Sequence, residues 1–170
     1  MNLTPARWIG LFLVGLMALG AWRLWPNEEK RVRRVIEGLA RDASFTGGEG
    51  NISRIAKVNA IANRFTIDVE LHVDQVVRVE SALRGRETIL GLLMVAAPAM
   101  GAVQVDVHDV QVTLGGDDTA QVKMTASAKT GGRQGDFNAQ EFELQLKKVE
   151  GEWLIARVDA VLGYRKPQIQ

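Results

Sequence analysis

Acid–base chemistry in this chain would rest on two short runs in which a carboxylate and an imidazole stand two residues apart: His72 with Asp74, and Asp106 with His108. Asp68 precedes the first pair in the same alternation. On a β-strand, residues i and i+2 share a face, so each pair sets a carboxylate beside the side chain that titrates nearest neutrality, as general acid or base catalysis requires. If the two strands were neighbours, two imidazoles and two carboxylates would also approach the donor set of a metal site. The plainer reading is that Asp68, His72, Asp106 and His108 form the wet faces of their strands, because Ile67, Val69, Leu71 and Val73, and likewise Val103, Val105 and Val107, already supply a core face. On that reading no metal and no cofactor are expected. The glycines at 131, 132 and 135 lack the spacing and the Lys-Ser/Thr ending of a phosphate loop, and Asp117 and Asp118 suit a tight turn.

The elements that would position these residues follow from periodicity, which is helical in the first portion and alternating in the second. Asn27 can cap a helix whose apolar face is Val32, Val35, Ile36 and Leu39, with Glu28 and Glu29 at its positive end. A second helix is predicted over 52–63, burying Ile52, Ile55, Val58 or Asn59, and Ala62, and strands over 66–74 and 77–83. The stretch 86–98 is apolar around most of a helix (Ile89, Leu90, Leu92, Leu93, Met94), so heavy burial is expected there. In the long strand that follows, Val103, Val105 and Val107 are in phase with one another, whereas Val110, Val112 and Leu114 are in the opposite phase. One extra residue near His108 and Asp109 must shift the register, which predicts a β-bulge and a strongly curved sheet. A turn at 115–118, a strand carrying Ala120, Val122 and Met124, a strand carrying Phe142, Leu144 and Leu146, a tight turn at Glu150-Gly151 and a last strand from Trp153 complete the chain.

The first amphipathic helix, the helix opening Gly85-Arg86-Glu87 and the closing hairpin with Gly151-Glu152-Trp153 resemble the nuclear transport factor 2-like superfamily, which includes polyketide-cyclase-like and ketosteroid-isomerase-like members. The resemblance spans about 27–164. It implies an α+β fold in which a curved, mostly antiparallel mixed sheet wraps around about three helices as a cone with a pocket at its open end. Isomerases of this kind use an acidic base with an oxyanion hole containing a tyrosine. The only tyrosine here is Tyr164, near the C-terminus, and the first helix offers valine, isoleucine and leucine instead.

Ahead of this domain, residues 1–26 read as a membrane anchor, with a cleaved signal peptide as the alternative. The run from Trp8 to Trp25 is almost wholly apolar, and Trp8, Trp22, Arg23 and Trp25 frame it as interfacial residues frame a spanning helix. Counting positive charges alone would place the domain in the cytoplasm, whereas the very short N-terminal tail argues for export. We expect a single-pass protein of a bacterial inner membrane with a periplasmic domain at 27–170. Beyond Pro26 the chain has 19 basic against 20 acidic residues, a balance that disfavours nucleic acid. The expected partners are the lipid bilayer, an envelope protein and a second copy, for which Ala120, Ala126 and Ala128 permit close approach.

Two function classes follow. The first is a membrane-tethered, non-catalytic binding or assembly module, similar in layout to single-span periplasmic assembly subunits of type IV secretion systems. The second is a small-molecule-binding or isomerase- or cyclase-like domain using the cone pocket. They differ in where Asp68, His72, Asp106 and His108 must point.

Overall fold

A computed structural model describes residues 28–72, 83–99, 101–116, 118–130 and 138–161. Helix α1 (Glu28–Asp42) opens on Glu28 and Glu29 and closes on Arg41, charges that match the partial charges of the helix ends. Its buried residues Val32, Ile36 and Ala40 recur every fourth position and so form one stripe. Helix α2 (Asn51–Ala62) has no side-chain cap at Gly50. Glu49 instead ties its first turn to the preceding loop: one carboxylate oxygen accepts from the Ser53 hydroxyl at 2.7 Å and the other from the Thr46 amide at 3.4 Å. The Ser53 hydroxyl, and after it Lys57 at 2.9 Å, hold the Glu49 carboxyl down to about 2.

Strands β1 (Phe65–His72) and β2 (Leu83–Arg84), helix α3 (Arg86–Ala96), and strands β3 (Val103–Leu114), β4 (Thr119–Thr130), β5 (Asn138–Val149) and β6 (Glu152–Val161) follow. The six strands form one sheet in the order β2-β1-β6-β5-β4-β3. All neighbours are antiparallel except β1 and β6, which run parallel. The result is the expected α+β cone: a mixed, curved sheet around three helices. Its core joins Val32 and Ile36 of α1 to Val69, Val122, Leu144, Leu146 and Ile155 of the sheet.

The bulge inferred from the valines is present. The β3–β4 register shifts between His108 and Gln111, and Asp109 adopts a left-handed φ of 53°. The β5–β6 turn is built on Glu150 (φ 51°) and Gly151 (φ 86°), the pair of positive φ values that a two-residue hairpin needs to match strand twist.

Three expectations are corrected. Strand β1 begins at Phe65, and between Phe65 and Glu70 its register against β6 slips, four residues opposing one. Arg86 donates from Nε to the Phe65 carbonyl at 2.9 Å, holding that irregular start. Alternation therefore fails: Thr66 is buried, while Ile67 is 79% exposed. In α2, Ile52 and Ile55 are exposed, and the buried face is Val58, Ile61 and Ala62, which meets the rest of the fold. Helix α3 is not buried around its circumference. Only Ile89 is buried within it, and Leu92, Met94 and Val95 face solvent because α3 packs mainly on α2 and the β1–β2 edge. Asn27, Val73, Asp74 and the predicted strand over 77–82 lie outside the described residues, as does the loop around 131–135.

The start of α1 is pinned to the closing hairpin. The Trp153 indole donates to Glu28 Oε2 at 2.6 Å, Arg31 and Lys148 approach Glu28 Oε1 at 3.2 Å, and Arg31 also donates to the Gly151 carbonyl at 2.8 Å. The indole bond, followed by the Lys148 and Arg31 contacts, holds the Glu28 carboxyl below its usual range. A carboxyl whose pKa falls on folding adds stability in full above its unfolded pKa, and that stability is lost as pH falls through the folded value. The melting temperature is therefore expected to drop as pH is taken below about 4.5, with Glu28→Gln giving a shallower decline. Melting curves of both proteins from neutral to acid pH check this, and parallel curves would refute it.

Candidate functional site

Strand register decides where the acid–base candidates point. The row Val112–Val122–Leu144–Val158–Leu71 crosses the sheet through paired residues and faces the core. The adjacent row, Gln111–Lys123–Glu143–Asp159–His72, therefore faces outward. His108 pairs with Thr125 and Asp106 with Ser127, positions on β4 in phase with Lys123, so both share that outer face. Asp68 is exposed beside the fully buried Val69. Asp74 lies outside the described residues.

These residues do not meet. β1 and β3 are separated by β6, β5 and β4, about 19 Å along the sheet at the usual strand spacing. The two-imidazole, two-carboxylate set is thereby ruled out, and among the described residues no group of three or more His, Cys, Asp or Glu could hold a metal ion.

Locally, Asp106 has close polar partners, whereas the two imidazoles do not. His72 Nδ1 stands 3.4 Å from Asp159 Oδ1 without hydrogen-bond geometry. The Asp159 carboxylate is held by the Arg157 guanidinium, with Nε at 2.8 Å from Oδ2 and Nη2 at 2.9 Å from Oδ1. That fork, reinforced by the charges of Asp159 and Glu70, raises the Arg157 pKa. Asp106 accepts from the Gln104 amide at 3.1 Å and lies 3.9 Å from Lys129. His108 Nε2 reaches the buried Ser127 hydroxyl only at 3.5 Å, the outer limit for a hydrogen bond. We expect His108→Ala to change stability by no more than about 0.5 kcal/mol in urea unfolding, since it is exposed and makes one marginal contact. A loss well beyond that would assign it a structural role not visible in its contacts.

The cone interior is occupied by side chains. Met124 and Trp153 are buried there among Val122, Leu144, Leu146 and Ile155. Met94 does not join them, being on the exposed face of α3.

Two features escaped the sequence reading. One is the apolar surface where α2 meets α3. A cavity of about 240 Å³ lies there, lined by Ile55, Val58, Met94 and Pro98, and Ile52 (87% exposed) and Val95 (81%) project from the same two helices. Arg54 ties them together, donating to the Ala97 carbonyl at 2.6 Å just past the end of α3. The other is a cavity of about 300 Å³ beside Trp153, lined by three arginines. Arg31 and Arg34 come from one turn of α1, and Arg64 comes from a distant part of the chain.

Residues 56–159 match the family model for the SnoaL-like domain. The chain belongs to the SnoaL-like domain family. Solved structures that this SnoaL-like domain resembles include a candidate scytalone dehydratase from Novosphingobium aromaticivorans, 13% identical with a TM-score of 0.63 over 78% of this chain and 82% of that one. A candidate dehydratase of the NTF2-like family from Streptomyces avermitilis is 16% identical, with a TM-score of 0.59 over 80% and 97%. An NTF2-like protein of unknown function from Pseudomonas putida is 11% identical, with a TM-score of 0.62 over 82% and 89%. At these identities the likeness is one of fold. No curated protein is significantly similar to the chain. Trp8, Trp22, Arg23 and Trp25 lie outside the described residues, and among the described residues no helix is long and apolar enough to cross a membrane.

Proposed function

We propose that this SnoaL-like domain is a non-catalytic binding or assembly module, tethered by residues 1–26 to a bacterial inner membrane with its domain on the periplasmic side. The observation that carries the reading is the outward placement of Asp68, His72, Asp106 and His108 on a sheet whose inner face is filled by apolar side chains. A catalytic cone needs polar groups converging on a cavity within it. The exposed apolar residues Ile52, Ile55, Leu92 and Val95 of α2 and α3 supply a surface suited to a protein partner instead.

The alternative, a small-molecule-binding or isomerase- or cyclase-like enzyme, draws support from the dehydratase names of two of its structural relatives. Site-specific photo-crosslinking of the full-length chain in membranes, from position 95 on α3, separates the two. The module reading expects one stoichiometric adduct, with an envelope protein or a second copy, that persists when Asp68, His72, Asp106 and His108 are each replaced. It fails if no adduct forms, or if the intact chain turns over a small molecule in a reaction abolished by those replacements.

A further inference from the structure

Where α1 meets β6 the surface holds a cavity of about 300 Å³ lined by Arg31, Arg34, Val35, Arg64, Glu152 and Trp153. Arg31, Arg34 and Gly38 fall on one stripe of α1 at spacings of three and four. Gly38 makes room for the third cation: a Cβ there would lie 2.6–2.7 Å from the Arg64 guanidinium, which rests over the glycine. Asp42 anchors Arg64 from the far side, accepting from Nε at 2.9 Å and Nη2 at 2.6 Å, which leaves Nη1 unused.

The charges are unevenly answered. Arg31 has Glu28 at 3.2 Å and Arg64 has Asp42. Arg34 has only a bond from its Nε to the Lys30 carbonyl at 3.3 Å, with no carboxylate partner among the described residues. Three guanidinium groups converging on one cavity, one of them uncompensated, match the tetrahedral oxygens of a phosphate group by forked hydrogen bonding. Val35 and the Trp153 ring give the cavity an apolar wall, and Glu152 disfavours a ligand with a second anionic group.

We propose that this cavity binds a single phosphate group, and that the natural source is the phosphodiester of an anionic phospholipid headgroup. Arg34 lies six residues into α1, about 9 Å from its start at the helical rise, so the cavity stands within headgroup reach of the point where residues 1–26 would leave the bilayer. The lipid source rests on the tether reading; the phosphate site itself does not.

The test uses the full-length chain with Trp8, Trp22 and Trp25 changed to Phe, so that Trp153 in the cavity wall is the sole tryptophan and is excited selectively. Its fluorescence is followed on adding vesicles of phosphatidylcholine alone, vesicles of phosphatidylcholine with phosphatidylglycerol, or inorganic phosphate at constant ionic strength. We expect a saturable change with phosphatidylglycerol, weakened roughly tenfold in Arg34→Ala and several-fold in Arg34→Lys, which keeps the charge and loses the fork. Arg41→Ala, which removes the same charge from α1 outside the cavity, should leave it unchanged. Equal weakening in Arg34→Ala and Arg41→Ala, or no saturable change with either probe, overturns the site. An Arg34-dependent response to inorganic phosphate alone keeps the phosphate site and removes the lipid source.

Discussion

Replacing Trp153 with Ala is expected to cost about 3–5 kcal/mol. The indole is 5% exposed and packs into the main cluster, so its removal leaves a cavity that β5 and β6 cannot close. It is also the shortest of the links holding the first turn of α1 to the closing hairpin. Trp153→Phe separates the two roles. It keeps much of the apolar bulk and removes the N–H, and about 1 kcal/mol of the loss should remain. Urea unfolding of the wild type and both variants measures the difference. Equal losses for Ala and Phe would show that the hydrogen bond to Glu28 dominates; no loss for Phe would show that it contributes nothing.

The second large effect concerns binding. Ile52 and Val95 project from α2 and α3 at 87% and 81% exposure, so changing both to Glu removes no packing. Stability should move by no more than about 0.5 kcal/mol. If the α2–α3 surface is where the partner sits, two buried carboxylates at its centre should reduce crosslinking at least tenfold, since central apolar contacts cost 2 kcal/mol or more when lost. Unfolding midpoints and adduct yields from the same preparations give both numbers. Unchanged yield with unchanged stability would move the contact to another face.

The sheet was legible in the sequence for a physical reason. The phase reversal between Val107 and Val110 has one simple backbone solution, an inserted residue, and Asp109 provides it. Helix α3 was misread because hydropathy reports what a residue tolerates, not what lies opposite it; Leu92 and Val95 are apolar and yet exposed. Ile67 was misread because the slip in β1 is set by long-range partners, Arg86 on the Phe65 carbonyl and Ile155 on that of Arg64, which no local pattern encodes. The same holds for the arginine cavity. Two of its cations lie in one visible run, and the third is brought in by the space above Gly38.

The parallel pairing of β1 with β6 has a kinetic meaning. β1 is the first of the described strands to be made and β6 the last, and α1 also waits for Trp153 and Gly151 to secure its start. The first helix and the first described strand can meet β3, β2 and α3 earlier, but neither completes its contacts until nearly the whole domain has emerged. Closing that long loop late in synthesis favours slow, all-at-once folding over growth from the N-terminus. If the chain is exported, assembly of the cone must follow passage through the membrane, and until then an unpaired β1 must be kept from pairing with other chains.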